Sequence, residues 1–254
     1  MLSRLIPGAA AQLAPALAEF ARTSRSSAQV RKIFSAYPEL EPTVLSELAE
    51  DPRNADLIIA LARPKTDTND APSWQTKLIS NLIEKREYEK AYSTWASISG
   101  VEGGSGRGLF NPAFRRSGHP PPFNWTLSST GGGVAEPVRE RGGLHISYFG
   151  REDVVLAKQL LLLPVGRYEL AAEVTGELGK GRAVAWTLTC LPTKQEVLNL
   201  PLDESSESKP SNGAFQITAQ DCAAQWLELK GKGQEFPKSA DFRIGGLQLT
   251  RLGG

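Results

Sequence analysis

Gly166-Arg167-Tyr168-Glu169-Leu170-Ala171-Ala172-Glu173-Val174-Thr175 is the stretch that decides the fold. Tyr168, Leu170, Ala172 and Val174 fall on one parity, and Glu169, Glu173 and Thr175 on the other. That is the period-two pattern of a strand with one face in a core and one in water. The same reading extends in both directions. Phe123, Trp125 and Leu127 alternate with Asn124, Thr126 and Ser128, and Leu144, Ile146 and Tyr148 alternate with His145, Ser147 and Phe149. Val184, Trp186, Leu188 and Cys190 share a face. Val155 to Leu163 reads as an apolar run, suited to a strand buried on both faces or to a register shift. Further runs at Val197–Leu200, Ala214–Thr218, Gln225–Leu229 and Phe242–Arg251 bring the expected number to about nine. Turn residues separate them at intervals of roughly 8–12, the spacing of a sandwich or barrel. In the last run Phe242 and Ile244 lie on one parity and Leu247 and Leu249 on the other, so Gly245-Gly246 must shift the register as a bulge does. Asp203 to Ser211 reads as an exposed acidic loop.

The other end of the chain follows a different rule. Of 24 glycines in 254 residues, only Gly8 precedes residue 100, while residues 9 to 99 hold 16 alanines. Apolar residues there recur at three and four with proline breaks, which is helical punctuation. Leu13, Leu17, Phe20 and Ala21 form one expected stripe, and Val30, Ile33 and Phe34 a second, ended by Pro38. Glu41-Pro42 opens a third helix with proline in its first turn. Asn54 or Asp56 opens a fourth. Ser73 caps a fifth carrying Leu78, Ile79, Leu82 and Ile83, and Tyr88, Ala91, Tyr92 and Trp95 mark a sixth. Gly100 to Gly108 is a linker by composition. The expected architecture is multidomain α + β: a helical-hairpin domain over 1–99, a linker over 100–108, and an all-β jelly-roll sandwich over 109–254.

Composition narrows the function classes. The net charge of +1 lacks the basic excess of nucleic-acid or anionic-membrane binders. No run of 18 apolar residues offers a membrane span. Leu5 to Ala11 loosely imitates a signal peptide, but Pro7, Gln12 and Pro15 interrupt it and Glu19 follows, so it reads as a helix entry. With two histidines and no Cys-x-x-Cys, neither a metal site nor any cofactor is expected. The glycines at 100–108 and 176–181 lack the spacing and the Gly-Lys-Ser/Thr ending of a phosphate loop. Glu169 and Glu173 share a solvated strand face rather than a cleft, His145 lies mid-strand, and His119 sits in a proline-rich loop. A non-enzymatic protein is expected. Cys190 and Cys222 could form a disulfide worth about 3–4 kcal/mol in an oxidising compartment, or remain two separate buried thiols in a cytoplasmic protein.

Two resemblances sharpen this reading. Leu82-Ile83-Glu84-Lys85-Arg86-Glu87-Tyr88-Glu89-Lys90-Ala91, with Trp95, resembles the hinge of a tetratricopeptide helical hairpin. Such hairpins stack into arrays that bind protein partners, which implies an adaptor; a plain helical cap is the alternative. Gly108-Leu109-Phe110-Asn111-Pro112-Ala113-Phe114 with Trp125, then Leu163-Pro164-Val165-Gly166-Arg167-Tyr168, then Ile244-Gly245-Gly246-Leu247-Gln248-Leu249, resemble in order the jelly-roll carbohydrate-binding modules of families four, nine and twenty-two. Gly245-Gly246 stands where those modules carry Asp-Asp or Asp-Asn, which weakens any inherited calcium role there.

The main expectation is thus an adaptor whose helices hold a protein and whose sandwich supports assembly. The alternative is a polysaccharide-binding protein of the bacterial cell envelope, periplasmic or extracellular. For sugar binding, the informative aromatics are those that cannot be core. Trp125, Tyr168 and Trp186 travel with aliphatic residues, whereas Trp226 shares its parity with Glu228 and Lys230. Trp226 is the nominated platform, with Phe149 a second outward aromatic and Glu228, His145, Arg167 and Glu169 as polar partners. Packing of Trp226 beneath a loop or against the helical domain is the competing reading.

Overall fold

A computed structural model describes residues 9–23, 27–63, 73–101, 107–115, 119–138, 140–178, 183–202, 210–218 and 222–253. The chain divides into two compact units, Met1–Gly103 and Gly104–Gly254. Most of the stretch expected as a linker, 102–106, lies outside the described residues, as do residues 1–8, most of the acidic loop and the residues before Ser73.

The first unit holds six α-helices: α1 (Ala9–Thr23), α2 (Ser27–Ala36), α3 (Leu40–Leu48), α4 (Ala55–Leu61), α5 (Ser73–Glu84) and α6 (Tyr88–Ser99). They pack in two rows, α1 on α3 on α5 and α2 on α4 on α6, with α5 and α6 closing a hairpin. The α5–α6 turn is tight because Arg86 adopts a left-handed φ of 62°, and α6 ends on Gly100 at φ 64°, a glycine C-cap. Asn81 Nδ2 donates to the Ala49 carbonyl at 2.8 Å and ties α5 to the end of α3.

In α1 the expected stripe is displaced. Leu13 and Phe20 are exposed, and the buried residues are Ala14, Ala18 and Ala21. Small residues on that face let α1 approach α3 closely, so the alanines rather than the large apolar residues make the contact. The helix runs through Pro15, as the expected stripe from Leu13 to Ala21 requires. Proline there removes the donor to residue 11 and crowds the preceding turn, a cost of roughly 3 kcal/mol relative to alanine in a helix interior. Pro15 is exposed and contributes no core. Pro15→Ala is therefore expected to stabilise the helical unit by about 1–3 kcal/mol, read as an upward shift of its thermal transition; an unchanged or lowered midpoint would show that α1 does not continue through this position.

The second unit is a jelly-roll sandwich of two antiparallel sheets. Its strands are β1 (Thr126–Leu127), β2 (Ser129–Thr130), β3 (Gly133–Pro137), β4 (Leu144–Tyr148), β5 (Val154–Leu161), β6 (Gly166–Glu177), β7 (Val184–Pro192), β8 (Glu196–Pro201), β9 (Ser211–Ile217), β10 (Cys222–Gly231) and β11 (Ala240–Leu252). The five-stranded sheet runs β1-β5-β10-β7-β8 and the six-stranded sheet β2-β3-β4-β11-β6-β9. The alternating residues of the two inner faces meet as one core that includes Tyr148, Tyr168, Trp186, Leu227, Leu229, Phe242 and Ile244.

Two local devices complete the sandwich. The opening segment folds over the core edge: Phe114 packs on Trp125 with ring centroids 4.7 Å apart, and the Trp125 indole N–H donates to the Asn111 carbonyl at 3.0 Å. The β11–β6 register slips between Gly245 and Gln248, with Gly246 at φ 56°, which is the expected bulge. Cys190 and Cys222 are joined by a disulfide between β7 and β10, their Cα atoms 4.8 Å apart.

Candidate functional site

The outer face of the five-stranded sheet is built by strand parity. On β10, Leu227 and Leu229 are buried in the core, so Trp226, Glu228 and Lys230 project the other way, all three half-buried. Antiparallel pairing extends each of them into a row across the sheet. Leu160, Trp226, Thr189 and Glu196 form one row, and Lys158, Glu228, Thr187 and Asn199 the next. Val155, Lys230, Ala185 and Pro201 form the third. The Lys158 ammonium lies 5.3 Å from the Trp226 ring centroid, within cation–π reach. Lys230 pairs with Glu228 at 2.8 Å, and Asn199 Nδ2 donates to Glu196 Oε1 at 3.1 Å.

A cavity of about 580 Å³ opens on this face, lined by Val155, Lys230, Ala185, Thr187, Asn199 and Pro201 among others. Trp226 lies outside this lining, four residues along β10 from Lys230; Glu196, in the Trp226 row across the sheet, reaches the cavity. The face therefore offers one aromatic surface with a carboxylate, ammonium groups, an amide and hydroxyls around it. Donors and acceptors share this face with a flat apolar ring, a mixture suited to a ligand rich in hydroxyls.

The six residues nominated from sequence do not form one site. Trp226 and Glu228 lie together on the five-stranded sheet. His145, Arg167 and Glu169 are on the six-stranded sheet, and Phe149 follows β4 on a loop. Even within that second sheet they separate. His145 lies opposite Arg243 of β11, which lies opposite Thr175 of β6, about 20 Å along β6 from Glu169. The strands are divided between two sheets, so shared outward parity does not place residues on a shared surface. Lys158, Thr187, Asn199 and Lys230 went unnominated. Lys158 is hidden inside a run read as uniformly apolar, Lys230 shares the Trp226 parity on β10 itself, and Thr187 and Asn199 emerge only once β7 is paired with β10 and β8 with β7.

On the six-stranded sheet His145 Nε2 and Ser147 Oγ each lie 3.0 Å from one oxygen of the Asp241 carboxylate. These bonds, His145 first, hold the Asp241 carboxyl below its ordinary value. The carboxylate stands between hydroxyl and imidazole, so Ser147 donates to Asp241 rather than to a base, unlike a nucleophilic triad. Among the described residues, no group of three or more His, Cys, Asp or Glu side chains is arranged to hold a metal ion, and no helix is long and apolar enough to cross a membrane.

No protein-family profile matches the chain, and no curated protein does. Solved structures similar to it include carbohydrate-binding modules, and the likeness falls on the C-terminal half. A family 61 module in complex with β-1,4-galactotriose is 14% identical with a TM-score of 0.33, covering 50% of this chain and 88% of that one. A family 4 module is 10% identical, TM-score 0.38, covering 50% and 86%. The family 22 xylan-binding domain of a Paenibacillus barcinonensis protein is 12% identical, TM-score 0.33, covering 50% and 85%.

Proposed function

We propose that the sandwich unit binds carbohydrate on the outer face of its five-stranded sheet. One observation carries the reading: Trp226 and Glu228 project from β10 on the same outward parity as Lys230, which with Thr187, Asn199 and Glu196 lines a cavity of about 580 Å³. Trp226 serves as the platform for a pyranose face, since an indole ring offers a large apolar surface to the axial C–H groups of a sugar. Glu228, Lys230, Thr187 and Asn199 hold hydroxyls. Phe149, His145, Arg167 and Glu169 lie outside this site. Affinity electrophoresis through gels carrying soluble bacterial and plant polysaccharides tests the proposal. At least one polysaccharide is expected to retard the protein, and unchanged migration in every gel would refute it.

A second reading concerns the helical unit, taken as residues 1–99 ahead of a linker at 100–108 and the sandwich at 109–254. Its two-row packing and the exposed Leu13, Phe20 and Tyr37 favour a tetratricopeptide-like array that engages a protein partner, making the chain an adaptor without catalytic activity. The disulfide suits an oxidising compartment, so we place the protein in the periplasm or outside the cell.

A further inference from the structure

We propose that the cleft at the Gly245-Gly246 bulge is an oxyanion site that takes a phosphate or sulfate group. It lies on the other sheet from the carbohydrate face and does not depend on that reading. The cavity has a volume of about 330 Å³, several times the ~30 Å³ that one water occupies in the liquid. Three guanidinium groups line it, each from a different segment: Arg115 from the opening segment, Arg141 from the β3–β4 connection, and Arg243 from β11. One carboxylate, Glu173, shares the lining, and among the described residues no carboxylate lies within ion-pair distance of any of the three arginines. The cleft therefore carries an excess of positive charge, three guanidinium groups against the single carboxylate of Glu173.

Arg243 is fixed in place. Its Nη2 donates to the carbonyls of Arg141 at 3.2 Å and Gly142 at 2.5 Å, which anchors the β3–β4 connection over the strand. Its Nε–H is buried and has no acceptor among the described residues. A buried donor left without an acceptor is costly and uncommon. Held by the two carbonyls, Arg243 adds a fixed positive charge beside the exposed Arg115 and Arg141, and a guanidinium matches the oxygens of phosphate and sulfate better than an ammonium does.

Glycines keep the space open. A Cβ at Gly142 would stand 2.7 Å from Arg115 Nε, and one at Gly246 would stand 2.7 Å from the Glu173 carboxyl carbon. Both have positive φ, 67° and 56°. The register slip leaves residues 246 and 247 without ladder partners on β6, so backbone groups at the cleft are not consumed by the sheet.

The test is a titration of the full chain followed by NMR, observing the amides of Gly142, Gly143, Gly245 and Gly246 and the Arg243 Nε–H. The probes are inorganic phosphate, inorganic sulfate, glucose 6-phosphate, galactose 6-sulfate and the parent neutral sugars, all at constant ionic strength. Phosphate or sulfate is expected to shift these resonances saturably, with a Kd near or below about 1 mM. Arg115→Gln and Arg141→Gln, both at exposed positions, are expected to weaken binding about tenfold each while the remaining spectrum stays native; Trp226→Ala leaves it unchanged. Tighter binding of the sugar-linked groups identifies a phosphorylated or sulfated glycan as the source, and equal binding identifies the free ion. Shifts that do not saturate by about 10 mM, that chloride reproduces, or that survive both arginine substitutions overturn the proposal.

Discussion

Replacing both Cys190 and Cys222 with alanine is expected to lower the stability of the sandwich unit by about 3–4 kcal/mol, and reduction of the native protein by the same amount. The bridge closes a sequence separation of 32 residues. In the chain-entropy model a loop of that length is worth about this much, because the linked unfolded chain has fewer conformations to lose. The folded geometry adds a local reason. The cysteines join β7 to the start of β10, at a register irregularity between Cys222 and Ala224 where the ladder alone is interrupted. Both cysteines are buried, so each alanine also leaves a small void. Urea unfolding monitored on the sandwich gives the number. A loss under about 1 kcal/mol would mean that the β7–β10 ladder holds this end without the crosslink.

Trp186→Ala is expected to cost about 3–5 kcal/mol, the range for truncating a fully buried large aromatic. Trp186 is completely inaccessible and packs against Trp125 with ring centroids 5.8 Å apart, and Phe114 in turn packs on Trp125. Removing the indole would therefore loosen the opening segment as well as the β7 core. Trp186→Phe separates volume from polarity. The Trp186 Nε1–H is buried without a hydrogen-bond partner among the described residues, so phenylalanine deletes an unsatisfied donor along with part of the ring. Its expected cost is about 1.5 kcal/mol or less. Equal losses for the two variants would show that the indole nitrogen makes a bond that the packing described above does not include.

Much of the sandwich can be read from parity alone. Tyr168, Leu170, Ala172 and Val174 are all buried, as are Val184, Trp186, Leu188 and Cys190, and the double glycine near the end of the chain does shift the register. Strands β2 and β3 were not legible. β3 begins after Gly131-Gly132 and ends in Pro137, residues that signal turns, and only Gly133 and Ala135 within it are buried. In the helical unit the periodicity located the helices but misassigned the α1 face, since hydrophobicity alone ranks leucine and phenylalanine above alanine while close helix approach favours alanine.

The site was legible only in part, and for a topological reason. Alternation says whether a residue points into or out of its own sheet, and on that basis Trp226 and Glu228 were separated from the core residues. It does not say which sheet the strand joins. β4 and β6 belong to one sheet and β5 and β10 to the other, so His145, Arg167 and Glu169 were grouped with an aromatic on the opposite side of the sandwich. The arginine cleft is still less accessible to sequence reasoning. Arg115, Arg141 and Arg243 are brought together by a bulge and a loop, with no spacing rule to connect them.

The central claim is that Trp226 forms the sugar platform. Isothermal titration of the native chain and of Trp226→Ala with an oligosaccharide of whichever polysaccharide retards the protein tests it most directly. Base-on-indole stacking supplies a comparable scale of about 1–3 kcal/mol per ring, so the variant is expected to lose affinity by about tenfold to a hundredfold. Its unfolding midpoint should change little, because the ring lies on the outer face and outside the core. Native affinity retained in Trp226→Ala would contradict the assignment and move the carbohydrate site away from β10.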